Sequence, residues 1–361
     1  MPETSRITSP DDAALDALCR ELSEHADEVD RSGRWPTRSL ELCGQYGVYE
    51  WFLPPRWGGQ DWSDVDIIRG YLRLSAACLT TTFIITQRTG ACRRLAASEN
   101  LAPAEHFLPG LLTAERFATV GISHLTTSRR HLARPVLAAE QLPDGGFRLD
   151  GYSPWVTGGM EADVIVTGAT LGDGRQIVIA LPTDLPGVVA QEPAKLVGVS
   201  SSQTGAVACQ GVEVDRRWLL GGPAENIMQQ GAGAKSGGLQ TSTLAIGLAQ
   251  AAIDYLQRES DKRPELFDPL DALRREHRQL EEDVLALAVG SEACSQQDLR
   301  ARANSHVLRA TQASLAAAKG TGYIVGHPTG RWCREALFFL VWSCPQPVMA
   351  AQLCELAGIS G

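Results

Sequence analysis

The chain has 361 residues, 44% of them hydrophobic and 21% charged, enough for two or three folding units around a large buried core. Its formal net charge of −9 argues against a broad nucleic-acid surface or an anionic-membrane surface, since both need clustered Lys and Arg. The nine cysteines are scattered, with no Cys-x-x-Cys pair; this fits a reducing, cytoplasmic setting and no zinc site.

Residues 1–114 are expected to form an N-terminal helical domain. Met1 to Asp30 is polar and acidic, unlike a signal peptide. Leu15, Leu18, Leu22 and Ala26 recur at three- and four-residue steps, as one helix face does. Pro54, Pro55, Gly58 and Gly59 interrupt, and a second helical run is expected from about Asp64 to Ala97. Residues 115–222 change to short β-rich runs, Val136–Gln141, Phe147–Asp150, Val164–Thr170, Ile177–Leu181 and Ala206–Val214, separated by Asp- and Gly-bearing turns. Regular spacing of such strands predicts a small β-barrel or sandwich. Residues 223–361 return to helix, with Leu270, Leu273, His277, Leu280, Val284 and Leu287 spaced as a bundle seam. The longest apolar stretch, Ala336 to Trp342, is too short to span a membrane; it could line a pocket, but the favoured expectation is a helix buried on all sides. The fold class is α+β, ordered helical domain, β-barrel, four-helix bundle.

One segment carries chemistry: Asp150-Gly-Tyr-Ser-Pro-Trp155-Val-Thr157-Gly-Gly159, followed by Ala162-Asp163. Trp155 offers a flat apolar wall and Thr157 a hydroxyl; on spacing alone they read more readily as a barrel-core Trp beside a strand-ending Thr. Together with the element order, this segment resembles the acyl-CoA dehydrogenase family over residues 12 to 361. The resemblance implies that FAD is the cofactor and that Trp155 and Thr157 lie against its flavin ring. It assigns Ser123 and Ser128, in Ile122–Arg129, to the flavin as well. Gly247-Leu248-Ala249-Gln250 leads to Arg263, whose family counterpart reaches across a subunit interface to the flavin pyrophosphate; Leu266 stands where Phe is usual, with Phe267 next. Gly320 and Gly322, before Arg331 and Arg334, match a stretch that touches the adenosine half of FAD. A homodimer or homotetramer is therefore implied.

The departures bear on chemistry. The family removes an α-proton with a Glu, and that position is Ser343 here, a neutral hydroxyl with no basicity of its own. Some relatives keep the base at a position that corresponds to Gly237, with a substrate-orienting Arg at Gly238; both are glycine. The Gln often found near the adenine is Ala316. His124, in the loop that covers the flavin in relatives, is the best single replacement base. Glu335 is expected to be structural, His327 a loop residue, and Cys344 buried and inert in apolar surroundings.

The function expected is that of an acyl-CoA dehydrogenase-like, flavin-dependent oxidoreductase acting on an unusual acyl thioester, held on CoA or a carrier protein. Electron-transfer flavoprotein or a flavin reductase is the implied redox partner. The alternatives are a flavin-dependent monooxygenase on the same fold, which needs no α-proton abstraction, and a non-redox degenerate member.

Overall fold

The computed structural model describes residues 6–126, 135–229, 239–344 and 346–359. The first helix, α1 (Ala13–Ser32), buries Leu15, Leu18, Leu22, Ala26 and Val29 and ends at Gly33, whose left-handed backbone (φ 58) stops it. After α2 (Thr37–Gln45) comes α3 (Asp64–Ala77), started by Ser63, whose hydroxyl accepts from the Asp66 amide at 3.1 Å. The expected run from Asp64 to Ala97 is two helices. Cys78 is extended (φ −156, ψ 102), and α4 (Leu79–Ala97) begins after it. Hydrophobic spacing is blind to such a corner, because buried residues continue across it, from Leu74 and Ala77 to Leu79 and Phe83. α5 (Ala102–Leu112) completes the helices before the sheet.

Eight strands then form one mixed sheet. β1 (Ala118–Gly121), β2 (Leu137–Gln141), β3 (Phe147–Val156) and β4 (Val164–Leu171) come first. β5 (Gln176–Pro182), β6 (Val188–Ala190), β7 (Gly205–Val214) and β8 (Leu219–Ala224) follow. The order is β6-β7-β3-β2-β4-β5-β8, with β1 parallel to the start of β4. A short helix, α6 (Ser123–Thr126), follows β1. β1, β6 and β8 add to the strands expected, and β3 runs well past Asp150 into the Trp155 segment. Its pairing with β7 carries it through Gly151 and Pro154, with register shifts on the way. Side chains of β2, β3, β4, β5 and β7 meet in one apolar cluster with Phe107, Leu108 and Trp218, so the sheet curls around a core as a barrel does.

The chain closes with α7 (Gln240–Ser260), α8 (Phe267–Ala288), α9 (Gln296–Gly322), α10 (Pro328–Ala336) and α11 (Gln346–Leu356). Helices α7 to α10 share one apolar cluster with α1, α3 and α4. Gly247 marks the closest approach: a Cβ there would lie 2.5 Å from the Leu72 carbonyl oxygen on α3, and the neighbouring Ser75 hydroxyl donates to the Leu244 carbonyl at 2.7 Å. Among the described residues, no helix is long and apolar enough to cross a membrane, and no group of three or more His, Cys, Asp or Glu side chains could hold a metal ion.

The α8–α9 seam buries two histidines. His277 Nδ1 lies 3.3 Å from His306 Nε2, and their outer nitrogens face Glu281 and Glu276, each at 3.4 Å. Arg309 holds Glu276 at 2.5 Å. Burial, and then the His277 charge, pull His306 down to about 4 from an ordinary 6.5. The unfolded chain therefore binds this proton more readily than the folded one, so stability rises with pH between about 4 and about 6.5. Melting temperature is expected to be level above neutrality and to fall as pH drops through that window. His306→Gln should flatten this slope; equal slopes in thermal melts of the two proteins would refute the assignment.

Candidate functional site

A cavity of about 800 Å³ opens where the three regions meet. One wall is α4, presenting Phe83, Gln87, Gly90 and Arg94 at helical spacing. A second comes from the sheet: Val120 on β1 with Ser123 just beyond it, and Trp155 and Thr157 at the end of β3. The third is the segment after α10, Leu337 to Ser343, apart from Phe339.

The sheet wall is built locally. Trp155 stays 49% exposed, a large ring left without an aromatic partner among the described residues. Thr157 is buried, and its hydroxyl lies 3.1 Å from that of Thr204, which lies 2.8 Å from Ser202 Oγ. Gly158 must be glycine: its φ is 60, and a Cβ would fall 2.4 Å from the Trp35 ring. The Ser123 hydroxyl is buried and has no hydrogen-bond partner among the described residues. An orphaned donor in a cavity wall marks a place for a polar ligand atom.

The third wall corrects an expectation. Ala336–Trp342 is not a helix buried on all sides. After α10 the chain tightens into a 3₁₀ turn over Leu337–Leu340, and only Phe339 within the turn is buried. Val341 is 75% exposed. The turn hangs from α9, where Arg300 donates to the Trp342 carbonyl at 2.8 Å and Asn304 to the Phe339 carbonyl at 3.0 Å. Phe83, Phe338 and Trp342 pack edge-on and stacked, with centroids 4.8 to 5.0 Å apart.

The structure thus gathers Ser123, Trp155, Thr157 and Ser343 around one cavity. Ser343 is exposed at its edge, with a left-handed backbone (φ 45). His124 does not line it, which corrects its candidacy as a replacement base. Its Nε2 lies 2.7 Å from the Gly168 carbonyl oxygen, and burial lowers its pKa and holds the ring neutral. Arg263, Gly320 and Gly322 lie elsewhere. Arg263 donates to the Ala317 carbonyl at 2.8 Å and sits 3.4 Å from Glu259; its Nε is buried without a partner among the described residues. Gly322 packs against α10, where a Cβ would meet Thr329 Oγ1 at 2.7 Å, whereas Gly320 faces open space. These three share the end of α9. Ser128, Gly237 and Gly238 lie outside the described residues.

The other candidates have structural partners. His327 accepts from the Thr329 amide at 3.3 Å and starts α10. Glu335 is buried 3.7 Å from Arg331, and desolvation pushes its carboxyl up to about 7. Burial also raises the Cys344 thiol, although the residue is only half-buried. Ala316 is exposed.

The sequence reading missed the α4 wall. A usable signal was present: Arg88, Arg93 and Arg94 fall in a helix that has no polar face to receive them.

No family model matches the chain. It is 23% identical over 262 residues to the probable acyl-CoA dehydrogenase YngJ of Bacillus subtilis (strain 168), covering 71% of this chain and 68% of that protein. Its fold matches that of a glutaryl-coenzyme A dehydrogenase solved with glutaryl-CoA, with a TM-score of 0.80 at 18% identity, over 97% of this chain and 96% of that one. It also matches the prolyl acyl carrier protein oxidase AnaB, with a TM-score of 0.73 at 17% identity, over 96% and 99%.

The third wall makes a mutational contrast. Phe339→Ala removes a fully buried ring and is expected to cost about 3–5 kcal/mol. Val341→Ala, two residues on, should stay within about 0.5 kcal/mol. Urea unfolding of both variants checks this; similar losses would mean that the turn is buried throughout.

Proposed function

The chain belongs to the acyl-CoA dehydrogenase family, and on that premise we propose that it is an FAD-dependent oxidoreductase acting on an unusual acyl thioester carried by CoA or a carrier protein. One observation carries this reading: the half-exposed Trp155, the Thr157 hydroxyl chain and the orphaned Ser123 hydroxyl share a wall of a cavity whose third wall is apolar. These residues fit a flavin, with an aromatic face for the ring and hydroxyls for its polar edge. Bound flavin supplies an acceptor for a hydride equivalent. Leu337, Phe338, Leu340 and Trp342 would exclude water from an acyl group held against it.

Arg263, Gly320 and Gly322 support the full dinucleotide in a homo-oligomer, with Ser128 as a further flavin contact. They lie apart from the cavity within one chain, and beside them Tyr323, Ile324 and Val325 are 87%, 64% and 86% exposed. An apolar patch of this kind suits contact with a second copy. Electron-transfer flavoprotein is the proposed electron acceptor.

The residues that would move the proton are the unusual part. No Asp, Glu or His is among the described residues that line the cavity. Ser343 can hold a substrate oxygen by hydrogen bonding but cannot take an α-proton. The substrate that fits is one whose C–H is already acidic, or one oxidised at an amine. The same lack of carboxylate favours a second reading, oxygenation with reduced flavin delivered by a reductase. Stoichiometric oxygen uptake that gives a hydroxylated product would select it.

The test is an absorption spectrum of FAD-loaded protein followed by stopped-flow mixing with butyryl- and octanoyl-CoA. Flavin bleaching by the unmodified protein should be slow, because a missing general base costs about 10²–10⁴ in rate. Ser343→Glu should recover part of that factor, since the site is exposed and a carboxyl there keeps an ordinary pKa. Fast bleaching without the substitution would reveal a base elsewhere, and a failure of FAD to bind would overturn the proposal.

A further inference from the structure

Two side chains that line the cavity, Thr89 on α4 and Gln240 at the first position of α7, are joined by a third that stands behind them. Tyr71 on α3 is 3% exposed. Its hydroxyl donates to Thr89 Oγ1 at 3.2 Å and accepts from Gln240 Nε2 at 3.5 Å. Burial pushes its pKa up to about 12, so the hydroxyl keeps its hydrogen at neutral pH. The Phe52 ring stacks on the Tyr71 ring, with centroids 5.3 Å apart, and holds its tilt.

This relay leaves both of its ends open. A hydroxyl has one hydrogen to give, whereas an amide side chain has donors on nitrogen and an acceptor on oxygen. Tyr71 directs its hydrogen at Thr89, so the Thr89 hydrogen must go elsewhere. Thr82 and Thr86, on the same helix, turn their hydroxyls back onto the Cys78 and Phe83 carbonyls at 2.9 and 2.6 Å. The Thr89 hydroxyl does not: among the described residues its hydrogen bond is the one to Tyr71. Gln240 places its amide nitrogen on Tyr71, and its carbonyl oxygen has no partner among the described residues. The cavity therefore meets one donor and one acceptor, linked through Tyr71. Exchanging donor and acceptor along the relay still leaves one of each at its two ends. A methylene chain placed here would strand both groups and any water that joined them. A carboxylate brings only lone pairs and answers the donor alone. A hydroxyl gives one hydrogen bond and takes another, and so answers both.

We propose that Thr89 and Gln240 bind a hydroxyl on the acyl part of the substrate, so that the enzyme acts on hydroxyacyl thioesters. Tyr71 is a positioning residue that aligns the two. This rests on the acyl-thioester reading above and narrows it to a substrate class. The apolar side chains of Leu337, Phe338, Leu340 and Trp342 pack the methylenes, while the relay fixes the polar substituent.

The test is calorimetric titration of FAD-loaded full-length protein with pairs of thioesters. β-Hydroxybutyryl-CoA is compared with butyryl-CoA, and β-hydroxyhexanoyl- and ω-hydroxyhexanoyl-CoA with hexanoyl-CoA. At least one hydroxyacyl thioester should bind about fivefold or more tightly than its partner, the scale set by two polar groups matched rather than stranded. Thr89→Val should bring that ratio to about one, and Thr89→Ser, which restores the hydroxyl, should keep it. Tyr71→Phe should lower the ratio; a merely structural role for Tyr71 would weaken both members of a pair alike and leave the ratio where it was. Gln240→Leu makes the same comparison from the other end if Thr89→Val fails to hold FAD. Equal binding within every pair by the unmodified protein would overturn the inference alone, and so would a preference that survives both Thr89→Val and Gln240→Leu. If neither kind of thioester binds, the acyl-thioester reading itself falls, and this inference with it.

Discussion

Arg331 and Arg334 on α10 reach back to Asp27 and Asp30 on α1, 304 residues earlier in the chain, at 2.9 and 2.6 Å. Arg334 also donates to the Val197 carbonyl at 3.3 Å, in the loop that returns from the sheet. Gly198 beside it lets that loop press on the Arg334 backbone, where a Cβ would come within 2.8 Å of the carbonyl oxygen. Helices from both ends of the chain and the sheet between them are therefore pinned at one place, and the third cavity wall starts three residues later. In each pair one partner is buried and the other is more than a third exposed, so losing the exposed partner strands a buried charge, at a cost that solvent screening holds below that of a fully buried pair. Here it would also release the wall. The unpartnered Glu335 oxygen in the same cluster belongs to a carboxyl that burial shifts toward its neutral form, in which a lone oxygen is less costly to bury.

The cavity follows from this closure. α4 supplies a wall only because α3 turns at Cys78, and the sheet supplies one only because β3 continues past its glycine and proline into Trp155. The third wall is a turn hung by its carbonyls from α9. Each is an ordinary packing solution, and the chemistry lies in what is left facing inward: hydroxyls on one side, aromatic rings on another, and arginine side chains on α4.

Much of this was legible in the sequence, and the limits have physical reasons. Helix followed by strand followed by helix shows as a change of period, and β2, β4, β5 and β7 stand out because β-branched runs lie between turn residues. β3 was cut short because Gly151 and Pro154 read as strand breakers. The pairing of Gly151 with Cys209 on β7 is a long-range contact that local propensity cannot register, and the register skips Pro154. Trp155, Thr157, Ser123 and Ser343 line one cavity, and it was the likeness of their segments to a known family, not spacing, that singled them out. Ala336–Trp342 misled because an apolar run looks the same whether it fills a core or faces a cavity. His124 misled in the reverse direction: a titratable residue in the right loop, turned onto the Gly168 carbonyl by one hydrogen bond. Arg94 carried a signal that periodicity discards, a charge in a helix with nowhere polar to put it.

Ser202, Thr204 and Thr157 form a row of three hydroxyls that ends at the cavity. Each hydroxyl can either give or take a hydrogen bond, so the row has two senses, and reversing it rotates hydrogens without moving a heavy atom. In one sense Thr157 offers its neighbour in the cavity a proton; in the other it offers a lone pair. A rigid site built this way greets a bound group equally well before and after that group gains a hydrogen, so the wall can stay still while its partner changes state.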